Sequence, residues 1–578
     1  MPVITTEEEF DKALVAIQNE SIIAIDTETT KTEIWNDRSL MGVSVWCPSI
    51  SEGFYFNCGH NSTIKAMSVD SSILFSILLR NQCWVFHNAK FDLQVLQRAG
   101  LAQLPEMFYD TMIMSWLVDE EPPHGLKELA VKLISPTANS EQKQVKKLER
   151  LVGWDNIPAD IMGIYAIKDV ELTWQLYEHF LPYFENTESE TNEMHEVLLR
   201  ELSFLLVLMD IERRGVRFDR DQAHQFAVAA QSRMRQIEKS LGFDPMKPSQ
   251  LASKLFGPPP DGLSLIPRSY SDKPSKSFPN GRPDTSESAL SSYKGEGGEV
   301  CSLVLEYRGL SKAKSTWYEG WSKLGPDGVL HPSYSQHGTV TGRLSCSKPN
   351  MQQVPREAGD APVKALLRAS MGHDLVEFDY SQVEFRLAAV YSGDEELLER
   401  LRNGSDFHQA TADMLRISRQ SAKTVNFCIL YGGGAGKLSQ TLGIPFGDAK
   451  TFLANYKQTY PGFDRISEQV SFAMQAKGWI RYWSGRRRHM KRQWEMHKAF
   501  NSLIQGGAAD IMKFTMLKLS DENLPIRIVG QVHDSLWIEV PSDQPALIPK
   551  IKEIMEWPGS EFGIPFPVDM KVLYKNPN

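Results

Sequence analysis

Two hydrophobic periods alternate along the first 185 residues. The runs SIIAID (21–26) and GVSVW (42–46) are apolar stretches of strand length, whereas FDLQVLQRAG (91–100) and IYAIKDVELTWQLYEHF (164–180) carry helical spacing. Strands alternating with helices predict an α/β domain. The polar stretch ENTESETNE (185–193) predicts a connection, and helical spacing resumes from Glu196 to about Lys239. In residues 257–300 half the positions are Gly, Pro or Ser. Such a segment has little apolar area to offset chain entropy, which predicts a long surface loop. From 301 onward helices mix with strand runs, among them IRIVGQV (526–532) and LWIEV (536–540), and no repeat of fixed period is present.

Composition narrows the class without deciding it. Of 578 residues, 42% are hydrophobic and 23% charged, which excludes wholesale disorder. At roughly 150 residues per domain the length corresponds to about four folding units. The six cysteines form no C-x-x-C pair and no zinc-like spacing, so they read as reduced thiols. The start MPVITTEEEF lacks the order of a signal peptide, and the apolar run Phe204 to Met209 is far too short to span a bilayer. These features predict a soluble, cytoplasmic protein with no membrane partner.

Net charge is −9, which by itself points away from nucleic acid. The average hides an asymmetry: residues 1–185 carry −12 and residues 186–578 carry +3. The two parts therefore need separate readings.

In the acidic part, Asp26 and Glu28 end a strand run, and positions i and i+2 of a strand face the same side. Asn88 and Asp92 lie four apart on a predicted helix, as do Tyr165 and Asp169. Any one pair alone reads better as a solvated strand end or helix face. Converging, four acids and a phenol would form a site for two divalent metals, because clustered carboxylates repel unless cations neutralise them.

A second acidic pattern lies in the basic part. LVEFDYSQVEFR (375–386) and IVGQVHDSLWIEV (528–540) each bring an aspartate, Asp379 and Asp534, to the end of an apolar run. Two aspartates on adjacent strands can bridge two Mg²⁺ ions for in-line phosphoryl transfer. Between them, Arg419, Lys423, Phe427 and Tyr431 recur every four residues and form one helix stripe. Two cations with two aromatics suit a triphosphate and a sugar or base better than a core. The cluster KGWIRYWSGRRRHMKR (477–492) holds seven Lys or Arg, namely Lys477, Arg481, Arg486, Arg487, Arg488, Lys491 and Arg492. A solvated charged face is the usual reading of such a run, and the interleaved aromatics leave phosphate contact open beside it.

The D-x-E, N-x-x-x-D and Y-x-x-x-D elements resemble the exonuclease motifs of the DEDD family, in the variety that uses a tyrosine. The segments around Asp379, Arg419 and Asp534 resemble motifs A, B and C of family A (DNA polymerase I-like) DNA polymerases. HGTVTGRLSCSKPNMQQVP (337–355) and NSLIQGGAADIMK (501–513) match two further signature segments of that family. The resemblance implies a ribonuclease H-like α/β exonuclease domain (1–185) with a mixed sheet, followed by an α+β polymerase right hand (186–578). In that hand the thumb would cover about 219–330. The palm, built on an antiparallel sheet, would cover about 196–218, 331–390 and 500–578, and the helical fingers about 391–499.

By resemblance, Asp26, Glu28, Asp92 and Asp169 would hold two exonuclease metals and Tyr165 would orient the attacking water. Asp379, Asp534 and the carbonyl of Tyr380 would hold two polymerase metals, Mg²⁺ with Mn²⁺ as a substitute. Arg419 and Lys423 would bind the triphosphate, and Lys423 would protonate the leaving group. Phe427 would pack on the sugar, Tyr431 would exclude misplaced template bases, and Glu384 would crowd a ribose 2′-hydroxyl. Gln382 and His533 would line the nucleotide site. Arg343, Asn501, Gln505 and His533 would contact primer or template, with Arg486, Arg487 and Arg488 on phosphates.

The implied activity is DNA-directed DNA synthesis with 3′→5′ proofreading, on primer-template DNA and deoxynucleoside triphosphates. The implied protein is a monomer acting with a helicase, primase or single-strand-binding protein. With no 5′-nuclease pattern read ahead of Asp26, flap removal is not expected, and the resemblance implies a phage or phage-derived replicative enzyme. Ser535 stands where the family has glutamate, which leaves a third carboxylate near the metals in question. Two other readings remain: an exonuclease with a binding-only C-terminal half, which the intact Asp379, Asp534, Arg419 and Lys423 oppose, and a single-subunit RNA polymerase, which Glu384 and the fused exonuclease oppose.

Overall fold

A computed structural model of the chain describes residues 3–30, 40–60, 67–78, 82–185, 189–270, 281–355, 362–430, 432–490 and 498–577. The N-terminal unit is built on a five-stranded mixed sheet. Its strands are β1 (Ile22–Thr29), β2 (Leu40–Cys47), β3 (Glu52–Asn57), β4 (Cys83–Phe86) and β5 (Phe108–Asp110), in the order β3-β2-β1-β4-β5. β1 pairs antiparallel with β2 and parallel with β4. The apolar run Ile23–Ile25 is buried at the centre of this sheet, as its composition requires. Helices α1 (Ala89–Arg98), α2 (Thr111–Val118) and α3 (Ala159–Phe180) pack around it.

The C-terminal unit is organised by a four-stranded antiparallel sheet. Its strands are β6 (His373–Tyr380), β7 (Arg527–Val532), β8 (Ser535–Pro541) and β9 (Val568–Tyr574), in the order β7-β8-β6-β9. Val376, Phe378 and Tyr380 alternate into the core, so Glu377 and Asp379 point to the other face. Helix α7 (Ala499–Asp521) lies in the same core, with Ile504, Ile511 and Met516 fully buried. Helix α5 (Val383–Ser392) follows β6, and α6 (Arg419–Leu430) comes later in the chain.

Several boundaries differ from the sequence reading. Helix α4 (Ser189–Arg214) begins inside the predicted connection. Its apolar positions Met194, Val197, Leu198 and Leu202 join the N-terminal core, and that packing outweighs a polar first turn. The helix predicted over 196–239 is broken at Gly215, whose φ of +67° leads into a short strand, Val216–Phe218. The segment 257–300 is not all loop. Leu290 and Tyr293 pack with Leu251, Leu255, Cys301 and Val304 in a satellite core, and a helix starts at Gly295. Gly, Pro and Ser lowered the average hydropathy there and masked a few well-placed apolar anchors. All six cysteines are free, as their spacing predicts. Among the described residues no helix is long and apolar enough to cross a membrane.

Candidate active sites

The N-terminal acids meet at the end of β1. Glu28, Asp92 and Asp169 are buried, and Asp26 is half-buried beside them. Thr27 ties the group together: its backbone N–H and hydroxyl donate to Asp92 Oδ1 at 3.0 and 2.7 Å. Burial first, then repulsion from Asp92, Glu28 and Asp169, holds the Asp26 carboxyl well above the usual carboxylate range. Burial with Asp169 and Asp92 does the same to Glu28, and burial pushes Asp92 up to about 7. Such values mark a site with too little positive charge for its carboxylates.

Tyr165 lies in the same group, its phenol raised by burial and by the neighbouring Asp169 and Glu28 carboxylates. The spacing i, i+4 on α3 brings Tyr165 and Asp169 to one face, as the sequence predicts. Asn88 is a correction. It is not on the helix face but precedes α1, at a left-handed φ of 75°, with its N–H donating to Asp110 Oδ1 at 2.9 Å. Asp92 alone faces the acids from that helix.

Sequence reasoning missed Lys127. Its ammonium pairs with Asp169 and sits 5.0 Å from the centre of the Tyr165 ring. It lowers the carboxyls of Asp26, Glu28 and Asp169 against the burial that raises them. Nothing in the helical stretch LKELAVKL distinguishes this buried lysine from an exposed one.

The C-terminal acids open on a cavity of about 470 Å³. Asp379, Tyr380, Gln382, Glu384, Arg419, Lys423, Phe427, His533 and Asp534 line it together with Arg343, which places most of the predicted set on one surface. Strand register explains the meeting. Asp379 stands opposite Ser535 at the start of β8, and the Tyr380 N–H donates to the carbonyl of Asp534 at 3.0 Å. Gln382 and His533 adopt left-handed φ values of 58° and 56°, in the turns that follow Tyr380 and precede Asp534. The Tyr380 hydroxyl is anchored away from the cavity on Thr515, at 2.8 Å.

Facing the aspartates is α6. Arg419 Nε and an Nη donate to Asp406 Oδ2 at 2.9 and 2.6 Å, and Lys423 and Phe427 follow at one-turn spacing. Burial, with Lys423 and Arg419 close by, pushes the lining residue His408 down to about 4. Arg343 donates to the buried carboxylate of Glu384, which fixes the latter over the cavity. The predicted Tyr431 lies outside the described residues, as do Lys491 and Arg492.

Three findings amend the predicted set. Asp569 on β9 stands opposite Asp379 on the side away from Ser535, lines the cavity, and accepts from the Ser381 hydroxyl at 2.5 Å. The sequence gives no register for that last strand, so this carboxylate was not foreseen. Ser535 instead bonds the carbonyl of Val532 at 2.8 Å. Asn501 lines a separate cavity of about 220 Å³ with Gly432, Gly433 and Gly434 rather than the main one, and the half-buried Gln505 is not among the lining residues of either.

The third amendment concerns the basic cluster. Arg486 is 1% exposed, donates to Asp510 at 3.0 Å and to the carbonyl of Thr341 at 2.8 Å, and lies 4.1 Å from the Tyr482 ring centre. Gly342, at φ +85°, leaves room for this: a Cβ there would meet the guanidinium at 2.6 Å. Arg488 is buried against Glu120 and Glu121 of the N-terminal unit. Both arginines are therefore internal ties and not phosphate contacts, because a buried cation stays where its carboxylate is. Arg487 stays half-buried on the hairpin, 4.3 Å from the Trp479 ring centre. Arg486→Ala should cost about 3–5 kcal/mol by stranding Asp510. A clear fall in unfolding temperature checks this, and an unchanged one would return Arg486 to the surface set.

The fold and its two acid centres define a chain with two separate carboxylate sites on two different sheets. Residues 219–575 match the family model of DNA polymerase family A, and residues 1–185 match that of a 3'-5' exonuclease. The chain belongs to DNA polymerase family A. It is 28% identical to DNA polymerase I of Pseudomonas aeruginosa, over 94% of this chain and 62% of that protein. It is 30% identical to DNA polymerase I of Chloroflexus aurantiacus, over 96% of this chain and 61% of that protein. The chain thus spans about 60% of the length of these relatives. The POL domain of Pol1 from M. smegmatis, solved in complex with DNA primer-template and dNTP, shares the fold. Its TM-score is 0.78 at 22% identity, with 98% of each chain covered.

Proposed function

We propose that this chain extends a DNA primer on a template, using deoxynucleoside triphosphates, and trims mispaired 3′ ends by 3′→5′ hydrolysis. The observation that carries this reading is the cavity on which Asp379, Asp534, Arg419, Lys423, Phe427 and Glu384 converge. Residues 1–185 would form the exonuclease. The polymerase would divide into a thumb (about 219–330), palm (about 196–218, 331–390 and 500–578) and fingers (about 391–499).

Divalent metals fit both sites by donor chemistry. Each offers hard carboxylate oxygens of the kind Mg²⁺ takes, although no three His, Cys, Asp or Glu side chains among the described residues form a ready-made cage. When bound, two Mg²⁺ per site would stabilise charge on the attacking and leaving oxygens. Asp379 and Asp534 would hold them for synthesis, with the Tyr380 carbonyl, and Asp26, Glu28, Asp92 and Asp169 for hydrolysis. Tyr165 would orient the water.

The chain's own groups do the rest. Lys423 and Arg419 neutralise the triphosphate, and Lys423 returns a proton to the departing pyrophosphate. Phe427 packs on the sugar. Glu384, clamped by Arg343, occupies the space a 2′-hydroxyl would need, while Gln382 and His533 close the floor. Arg343, His533, Asn501 and Gln505 would contact primer or template near the terminus, and Arg487 a phosphate.

Primer extension on a defined template, with deoxy- and ribonucleotides side by side, tests this. Extension preferring deoxynucleotides by about 10²-fold or more is expected. Failure to extend would overturn the reading, and preference for ribonucleotides would make the chain an RNA polymerase.

A further inference from the structure

The strap of residues 331–343, which ends at Arg343, takes much of its position from side chains. The His331 ring is bonded to the carbonyl of Glu212 at 2.8 Å, and the Tyr334 N–H donates to Glu212 Oε1 at 2.6 Å. Gln336 donates to Glu201 Oε2 at 2.7 Å. Farther along, the indole N–H of Trp116 donates to the carbonyl of Thr339 at 3.3 Å, and Arg486 holds Thr341. The Thr339 hydroxyl then donates to the carbonyl of Arg343 at 2.7 Å. Backbone groups paired in this way move only with the side chains that hold them.

Two of these anchors belong to the exonuclease-family unit. Lys90 on α1 reaches both the Glu212 carboxylate and the carbonyl of Tyr334, and Gln94, one turn on, donates to Glu212 at 3.0 Å. Trp116 on α2 is fully buried, its ring 5.4 Å from the Arg486 guanidinium and 5.0 Å from the Lys513 ammonium. On α1, Lys90 and Gln94 share one face while Asp92, two residues along from each, faces the exonuclease acids. A single ten-residue helix therefore carries both an exonuclease-site acid and two anchors of Glu212, the residue that holds the start of the strap.

We propose that Lys90 and Trp116 are positioning residues of the polymerase site. They fix the strap, the strap fixes Arg343, and Arg343 fixes Glu384. The exonuclease unit thereby sets grip on the primer end and discrimination against ribonucleotides from behind the cavity. This rests on the polymerase reading above, because it assigns Arg343 and Glu384 to primer and sugar.

The test uses the full chain carrying Lys90→Met or Trp116→Phe. Primer-template affinity is read by fluorescence anisotropy and sugar discrimination by steady-state kinetics. Each variant should bind primer-template about tenfold more weakly, the scale of one lost hydrogen bond to a charged or buried group. Each should lose about threefold or more in deoxy-over-ribo preference, with kcat for the correct deoxynucleotide and degradation of single-stranded DNA within about twofold of wild type. Lys90→Arg, which keeps the cation, should restore both properties. Wild-type affinity and discrimination in both variants would overturn the proposal. An equal loss of both activities together with a fall in unfolding temperature, not rescued by Lys90→Arg, would overturn it too, by reducing the two residues to general stability. A wild-type chain that extends no primer would refute the polymerase reading itself, which separates the two failures.

Discussion

Asp379→Ala should silence primer extension by roughly 10³-fold or more while degradation of single-stranded DNA stays within about twofold. The size follows from what the carboxylate is asked to do. Holding a cation against the developing charge of phosphoryl transfer is worth several kcal/mol, and each 1.36 kcal/mol is about tenfold in rate. The geometry adds a control for misfolding. Asp379 stands directly across the strand pair from Asp569, and like charges in that position repel. Removing one should leave the unfolding temperature unchanged or slightly higher, so a lost activity would not be a lost fold. Extension within tenfold of wild type would remove Asp379 from the chemistry.

Asp379 also shows what could be read in advance. An apolar run ending in an aspartate predicts a strand that delivers a carboxylate to its own end, and β6 does so from the interior of the sheet. The Arg419, Lys423 and Phe427 stripe was legible for the same reason: a period near four fixes which residues share a helix face, and that face lines the cavity. Local periodicity is enough for features held within one element.

Features that depend on pairing between distant elements were not legible. Asp569 enters the cavity because β9 pairs with β6 in one register, and shifting that register by one residue would turn the side chain away. Arg486 and Arg488 read as surface charge because five other cations surround them in sequence. Their carboxylate partners lie on other elements, Asp510 on α7 and Glu120 in the N-terminal unit. Lys127 is the same case inside the N-terminal unit, buried against Asp169 by tertiary packing alone. In Arg486, Arg488 and Lys127 a charged residue is found inside because an opposite charge from another element awaits it, a fact that composition cannot carry.

The second large effect separates the two sites. Asp26→Ala should lower removal of a mispaired primer end by roughly 10³-fold, on the same argument of lost cation binding, while extension from a matched end persists. Asp26 lies on β1, where burial first and then repulsion from the neighbouring carboxylates keeps its proton affinity high. The substitution relieves that repulsion and leaves Thr27, which ties Asp92 in place, untouched. It also leaves Lys90 and Trp116 on their partners behind the strap, so the polymerase cavity keeps its support. The readout is a primer with one mismatched 3′ nucleotide, followed with and without deoxynucleotides. Wild type should trim and then extend, whereas the variant should stall at the mismatch yet extend a matched primer at the wild-type rate. Trimming that survives would mean the acids at the end of β1 do not perform the hydrolysis. Loss of extension as well would mean the two sites are not separable, and that Asp26 serves the fold rather than the chemistry.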